Sequence, residues 1–291
     1  MNNNENVYEY EYVKEKLSLK DRIDRFVPKY VSANLILFFM SAMTLIRRVP
    51  KNMAAQHRRE NEAAWKEKGS LVLDEDGFYI EDQSKMDFLQ YGRHGNWLSR
   101  RLLKGRTLTG KENTCEVIAL YNCLCCINRN STENEQKSHD LDMKDSRGKS
   151  IIDGEVTFPA LLEYFERKGL AFGGYFGTSP LAIKRFLKKC GYEVLVLKGK
   201  NIYPRTMNQL QREKVKAGPS AYIVTTFNDG DHLSEMIHTM CITKEGRGFV
   251  LHNDYEGTRR RPTLSIGTEY YNEGKGKPII VMKIIKEVAN E

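Results

Sequence analysis

Cys115 lies in the run Asn113-Thr114-Cys115-Glu116-Val117-Ile118-Ala119, at the opening of a stretch with helical apolar spacing. A cysteine there is a side chain that can attack a carbonyl and hold the acyl group covalently. The unsatisfied amides and positive dipole end of a helix N-terminus favour its thiolate, whose pKa can fall from about 8.5 toward about 3.5 to 7.5. The same amides can hold the oxyanion formed by the attack. Farther along, His238 opens the strand-like run His238-Thr239-Met240-Cys241-Ile242-Thr243 and has the chemistry of a general base and acid. A second run, Phe249-Val250-Leu251, ends at His252-Asn253-Asp254, so Asn253 or Asp254 is expected to orient the far ring nitrogen of His238. Strand alternation lets one of the two face the ring, and the hairpin register decides which.

These groups need a helix start and two strands to bring them together. Asn113 and Glu116 have the spacing of a capping box, which would set Cys115 in the first turn. Thr157 with Pro159, and Ser179 with Pro180, signal two further helix starts, closed by Gly169 and Gly191. A strand follows at Tyr192 to Leu197 and a helix near Thr206 to Lys216. Strands then follow at Ala221 to Phe227, from His238, at Phe249 to Leu251, and at Pro278 to Ile285. Before Cys115, Leu71-Val72-Leu73 and Phe78-Tyr79-Ile80 read as a small hairpin around Asp74-Glu75-Asp76-Gly77, and Asn128 to Ser150 reads as a polar loop. Helices first and an antiparallel sheet last give an α+β class, with no βαβ alternation. The partition expected is a helical N-terminal extension over residues 1–70 and a catalytic domain over 71–291.

The rival chemistries have weaker signals. His232 lies in the polar turn Asn228-Asp229-Gly230-Asp231 and His252 adjoins the orienting pair, where it is expected to alternate outward. Cys123-Leu124-Cys125-Cys126 has no second cysteine pair at zinc-finger spacing and sits in an apolar helical setting, so no metal is expected. Gly173-Gly174 and Gly177 lack a following Gly-Lys-Ser/Thr, so no phosphate loop and no cofactor are expected.

The 291 residues supply a real core, and the formal charge of +8 is spread over 46 basic and 38 acidic residues with no long basic tract. Nucleic acid therefore ranks last among partners. The acidic, Asn-rich opening lacks the pattern of a secretory signal, and six cysteines are read as thiols in a reducing cytoplasm. Tyr30 to Ile46 carries no charge and is closed by Arg47-Arg48 and Pro50, so an apolar helix is expected over about 30–48. It is at the short limit for spanning a bilayer and is expected to be buried on the domain or a partner, with a membrane anchor as the other outcome.

From Leu108 to Tyr255 the chain resembles the papain-like cysteine peptidases, nearest to the bacterial leader-peptide peptidases that process double-glycine precursors. The resemblance is carried by the helix-opening Cys115 with Ala119 one turn on, by His238 and the alternating apolar residues after it, and by the polar end of the next strand. It implies a nucleophile-bearing helix packed on an antiparallel sheet and a Cys115, His238, Asn253 or Asp254 triad. The family's oxyanion glutamine is replaced by Thr109 and Gly110, which leaves Asn113 as the substitute donor. Glu116 stands where glycine commonly follows the cysteine, and Asp254-Tyr255 stands where the leader peptidases have Asp-Pro. The function expected is hydrolysis of a peptide or isopeptide bond, or acyl transfer through the same intermediate, with a peptide or protein as substrate. The competing expectation is a non-catalytic binding or membrane-associated module on the same fold.

Overall fold

A computed structural model describes residues 32–46, 48–93, 107–129, 143, 148–152, 156–174, 176–198, 201–202, 204–212, 220–227, 237–245, 248–253 and 278–286. The apolar N-terminal run forms helix α1, Ala33–Met43, whose first turn is capped by the Ser32 hydroxyl accepting from the Leu35 N–H. Ile36, Leu37 and Met40 turn inward, whereas Leu35 and Phe38 are 55% and 69% exposed. Among the described residues no helix is long and apolar enough to cross a membrane. Helix α2, Lys51–Lys68, buries Ala54, His57 and Asn61 along one stripe. Both helices share one apolar cluster with the elements that follow.

The expected hairpin at 71–80 is reduced to one antiparallel bridge between Leu73 and Ile80, after a 3₁₀ turn at Gly69–Leu71. The reason is local: the Asp74 carboxylate accepts the N–H groups of Phe78 and Tyr79 at 2.6 and 3.0 Å and ties the loop to itself. A 3₁₀ stretch, Gln83–Phe88, leads into strand β1, Gln90–Arg93, which pairs antiparallel with β2, Thr107–Thr109. A short helix α3, Gly110–Asn113, and then α4, Cys115–Arg129, follow.

Thr157 caps α5, Phe158–Lys168, by accepting the Ala160 N–H at 3.3 Å, and Pro159 occupies its first turn as expected. Helix α6 is Pro180–Lys189, strand β3 Tyr192–Lys198, and helix α7 Pro204–Arg212. Strands β4 (Ser220–Phe227), β5 (Ile237–Glu245), β6 (Gly248–His252) and β7 (Pro278–Lys286) complete a sheet of order β3-β7-β4-β5-β6, with every pair antiparallel. The last strand enters the middle, so the sheet is closed by pairing between β7 and the earlier β3 and β4.

The period of two divides the sheet into two faces. Ala221, Ile223, Cys241, Ile280 and Met282 pack with α4, α5 and α6. Tyr222, Val224, Met240, Ile242 and Val281 pack with Met207 and Leu210 of α7. The fold is α+β, and the helix that begins with Cys115 lies directly on β4 and β5.

Candidate functional site

The start of α4 is built differently from the expected capping box. Thr109 and Glu112 take that role one helix earlier, where the Glu112 carboxylate accepts the Thr109 N–H at 3.0 Å. Thr114 joins the two helices: its hydroxyl donates to the Gly110 carbonyl at 2.5 Å, and its own carbonyl accepts the Val117 and Ile118 N–H groups. Asn113 is released from capping and its Nδ2 donates to the carbonyls of Tyr91 and Gly174, at 3.0 and 3.1 Å. Both amide protons are thereby engaged in joining β1 to the 3₁₀ turn Ala171–Gly174, and among the described residues the acceptor Oδ1 meets no hydrogen-bond donor.

Cys115 does open α4 and is 6% exposed. Its thiol donates to Glu116 Oε2 at 3.4 Å. Burial pushes the thiol well above its ordinary value, and the Glu116 charge beside it adds to that rise. The resting group is a thiol, and the helix dipole is outweighed by the low dielectric around it. Glu116 is itself buried, which lifts its carboxyl to about 7. It also accepts the Thr178 N–H at 3.3 Å. Tyr91 and Thr178 join their hydroxyls at 2.5 Å, and the next residue, Gly92, donates its N–H to Glu166 at 2.7 Å. Glu166 pairs with His57 of α2 at 2.8 Å. Burial alone would lower His57, but the hydrogen bond and charge of Glu166 outweigh it and leave it raised.

His238 is buried at the start of β5, and its Nε2 lies 2.7 Å from the main-chain carbonyl of Asn253. A carbonyl can only accept, so Nε2 carries a proton. The Asn253 side chain does something else: Oδ1 accepts the Gln83 N–H at 3.2 Å and Nδ2 donates to Gln83 Oε1 at 3.3 Å. The Asn253 N–H donates to Glu81 Oε2 at 3.1 Å. Asn253 has φ of 59°, the left-handed conformation that asparagine tolerates better than most residues.

The parity of His238 on β5 is that of Met240 and Ile242, whereas Cys241 faces α4. Thus α4 packs on β5 from the face that Cys241 presents, and among the described residues no hydrogen bond joins the Cys115 sulfur to the His238 ring. Asp254 and His232 fall outside the described residues, as does most of the polar segment from Asn130 to Arg147. His252 does not alternate outward. It is 2% exposed, with Nδ1 on Glu81 Oε1 at 2.5 Å and Nε2 on the Thr243 hydroxyl at 2.6 Å.

All six cysteines are free. Cys123, Cys125 and Cys126 are buried on α4, where burial pushes Cys125 to about 12. Among the described residues no group of three or more His, Cys, Asp or Glu side chains is placed to hold a metal ion.

Sequence reasoning missed the roles of Glu81, Gln83, His57 and Glu166, and read Glu116 as a cap. Two of them did leave a signal. Glu166 interrupts the apolar stripe of Leu162 and Phe165, and His57 falls in the Ala54, Asn61 spacing of α2. A titratable residue on each of two buried stripes is the pattern of a buried pair.

No family model matches the chain, and no curated protein matches it. Among solved structures, the chain is similar to the peptidase domain of Streptococcus ComA, described as a bi-functional ABC transporter involved in a quorum sensing pathway. That match covers 60% of this chain and 93% of the other, at 11% identity and a TM-score of 0.32.

Proposed function

We propose that this chain is a papain-like cysteine peptidase or related thiol acyl-hydrolase that cleaves a peptide or isopeptide bond. Cys115 is the nucleophile, His238 the base and acid, and Asn253 the residue that orients His238, with Asp254 as the second candidate for that role. The observation that carries the reading is the packing of α4, which opens at Cys115, on β5, the strand that carries His238. On that strand the His238 ring is itself held on the Asn253 carbonyl.

In turnover the Cys115 proton passes to Nδ1 of His238, and sulfur attacks the substrate carbonyl. The tetrahedral intermediate collapses as the imidazolium returns that proton to the departing amine. Water then adds to the thioester, gives one proton to His238 and releases the acid and the thiol. Resolution by an amine would make the same intermediate a transferase. The reaction requires the ring and the thiol to come into contact. The exposed Leu35, Phe38 and Phe39 support a contact of residues 30–48 with a partner protein or a membrane surface.

A second reading, a non-catalytic binding module, is favoured by one specific observation. The Cys115 thiol is buried and its pKa raised, the opposite of an activated nucleophile.

Site-resolved alkylation of the six cysteines against pH, by mass spectrometry, separates the two. The catalytic reading expects Cys115 to react faster than Cys123, Cys125 and Cys126, and to slow in His238→Ala by about a hundredfold or more. Equal rates in both proteins would leave the binding module standing.

A further inference from the structure

The polar groups around Asn253 form a clamp, and its members come from two distant parts of the chain. Gln83 holds the Asn253 amide from both sides, with its main-chain N–H on Oδ1 and its Oε1 on Nδ2, at 3.2 and 3.3 Å. The other end of the Gln83 side chain donates to the carbonyls of Lys111 and Gly110, at 3.0 and 3.4 Å, in the turn that leads to Cys115. Glu81 supplies the second grip: one carboxylate oxygen accepts the Asn253 N–H and the other meets Nδ1 of His252. The Thr243 hydroxyl closes the far side of His252 at 2.6 Å.

The consequence is conformational. An asparagine amide free to turn could present its own Oδ1 to an imidazole, but here Oδ1 is committed to Gln83. The backbone, held at φ of 59°, presents its carbonyl to His238 instead. We propose that the orienting group of His238 is the main-chain carbonyl of Asn253 and that Gln83 is the positioning residue that holds this carbonyl and ties it to the turn before Cys115. The proposal rests on the catalytic reading given above for what the oriented ring does, while the tautomer it assigns stands independently.

Replacing Asn253 distinguishes carbonyl from amide. Glycine adopts the left-handed region without strain and keeps the carbonyl, whereas alanine is strained there. The test is ¹⁵N NMR of histidine-labelled full-length protein, reading the protonated nitrogen of His238, together with the pH profile of Cys115 alkylation. Asn253→Gly removes the same side-chain contacts to Gln83 and is expected to keep Nε2–H as the major tautomer, because the carbonyl remains, with a slowing of Cys115 like that of Gln83→Ala. Gln83→Ala is expected to mix the tautomers and slow Cys115 by about tenfold, and Gln83→Glu, which keeps Oε1, is expected to recover part of the ordering.

Loss of the Nε2–H tautomer in Asn253→Gly would overturn the proposal by assigning the role to the amide. Gln83→Ala keeps the main-chain N–H on Oδ1, so a wild-type tautomer and profile there would remove the Gln83 side chain from it. If the tautomer behaves as stated but Cys115 alkylation ignores His238→Ala, the carbonyl assignment stands and the peptidase reading fails.

Discussion

Glu116 and Glu166 are two buried carboxylates, 2% and 1% exposed, and they differ in what faces them. Glu166 has an imidazole at 2.8 Å and a main-chain N–H at 2.7 Å, so one proton is shared within a pair that joins α2 to α5. Among the described residues Glu116 meets the Cys115 thiol and the Thr178 N–H, both beyond 3.2 Å, and no cation. Burial alone then governs it and lifts it to about 7. A buried carboxylate with a cation serves as a structural tie. Without one it remains a titrating group, and this one titrates against the sulfur of Cys115.

The largest expected effect would break the first half of that contrast. His57→Ala leaves Glu166 buried without its partner and should cost about 3 to 5 kcal/mol in urea denaturation. Because Glu166 holds His57 above its ordinary value, the pair's stabilisation is full below about pH 6.5 and is lost as pH rises through the folded pKa of His57. In wild type the His57 contribution should therefore decline toward alkaline pH, whereas the mutant keeps only the cost of ionising the buried Glu166. A constant difference from pH 5 to 9 would mean that His57 is not protonated in the fold.

Glu116→Gln sharpens the second half. The wild-type carboxyl is raised from 4.5 to about 7, so the folded state holds this proton more tightly than the unfolded chain. Its contribution is full below about pH 4.5 and disappears as pH rises through about 7, a change of about 3 kcal/mol. The glutamine variant should lack that slope, and denaturation midpoints at pH 5 and pH 8 measure it.

Gly177→Ala probes the wall that encloses Glu116. Gly177 has φ of +67°, and an added Cβ would stand 2.9 Å from Glu116 Oε1. A loss of about 1 to 2 kcal/mol is expected from the backbone conformation. A neutral result would mean that this loop yields readily. The smallest effect is on reactivity: removing the anion in Glu116→Gln should raise Cys115 alkylation at pH 8, by about tenfold for each pKa unit the charge contributes. No acceleration would mean that burial accounts for the raised thiol by itself.

Much of the fold was legible because its signals are local. Thr157 with Pro159 and Gly169 marks α5, Ser179-Pro180 marks α6, and the apolar alternation marks β4 to β7 within a residue or two of their ends. Cys115 at the head of α4 was legible for the same reason. The strands β1 and β2 were not, since Gln90–Arg93 and Thr107–Thr109 are short and carry no alternation. The capping box was displaced from Asn113 and Glu116 to Thr109 and Glu112, because both pairs have the same spacing and the buried side chains of Asn113 and Glu116 are taken up by distant backbone groups.

The sequence by itself determined the α+β class, the helix starts and the residue types on which chemistry could be built, because caps, turns and periodicities act within a few residues. The tertiary structure decided which atoms those residues use. His238 meets the carbonyl of Asn253 because Gln83, 170 residues away, occupies the amide. Cys115 rests as a thiol because packing removes water and sets Glu116 against it. Hydrogen-bond choice and dielectric belong to groups brought together only when the chain has folded, and no local pattern encodes them.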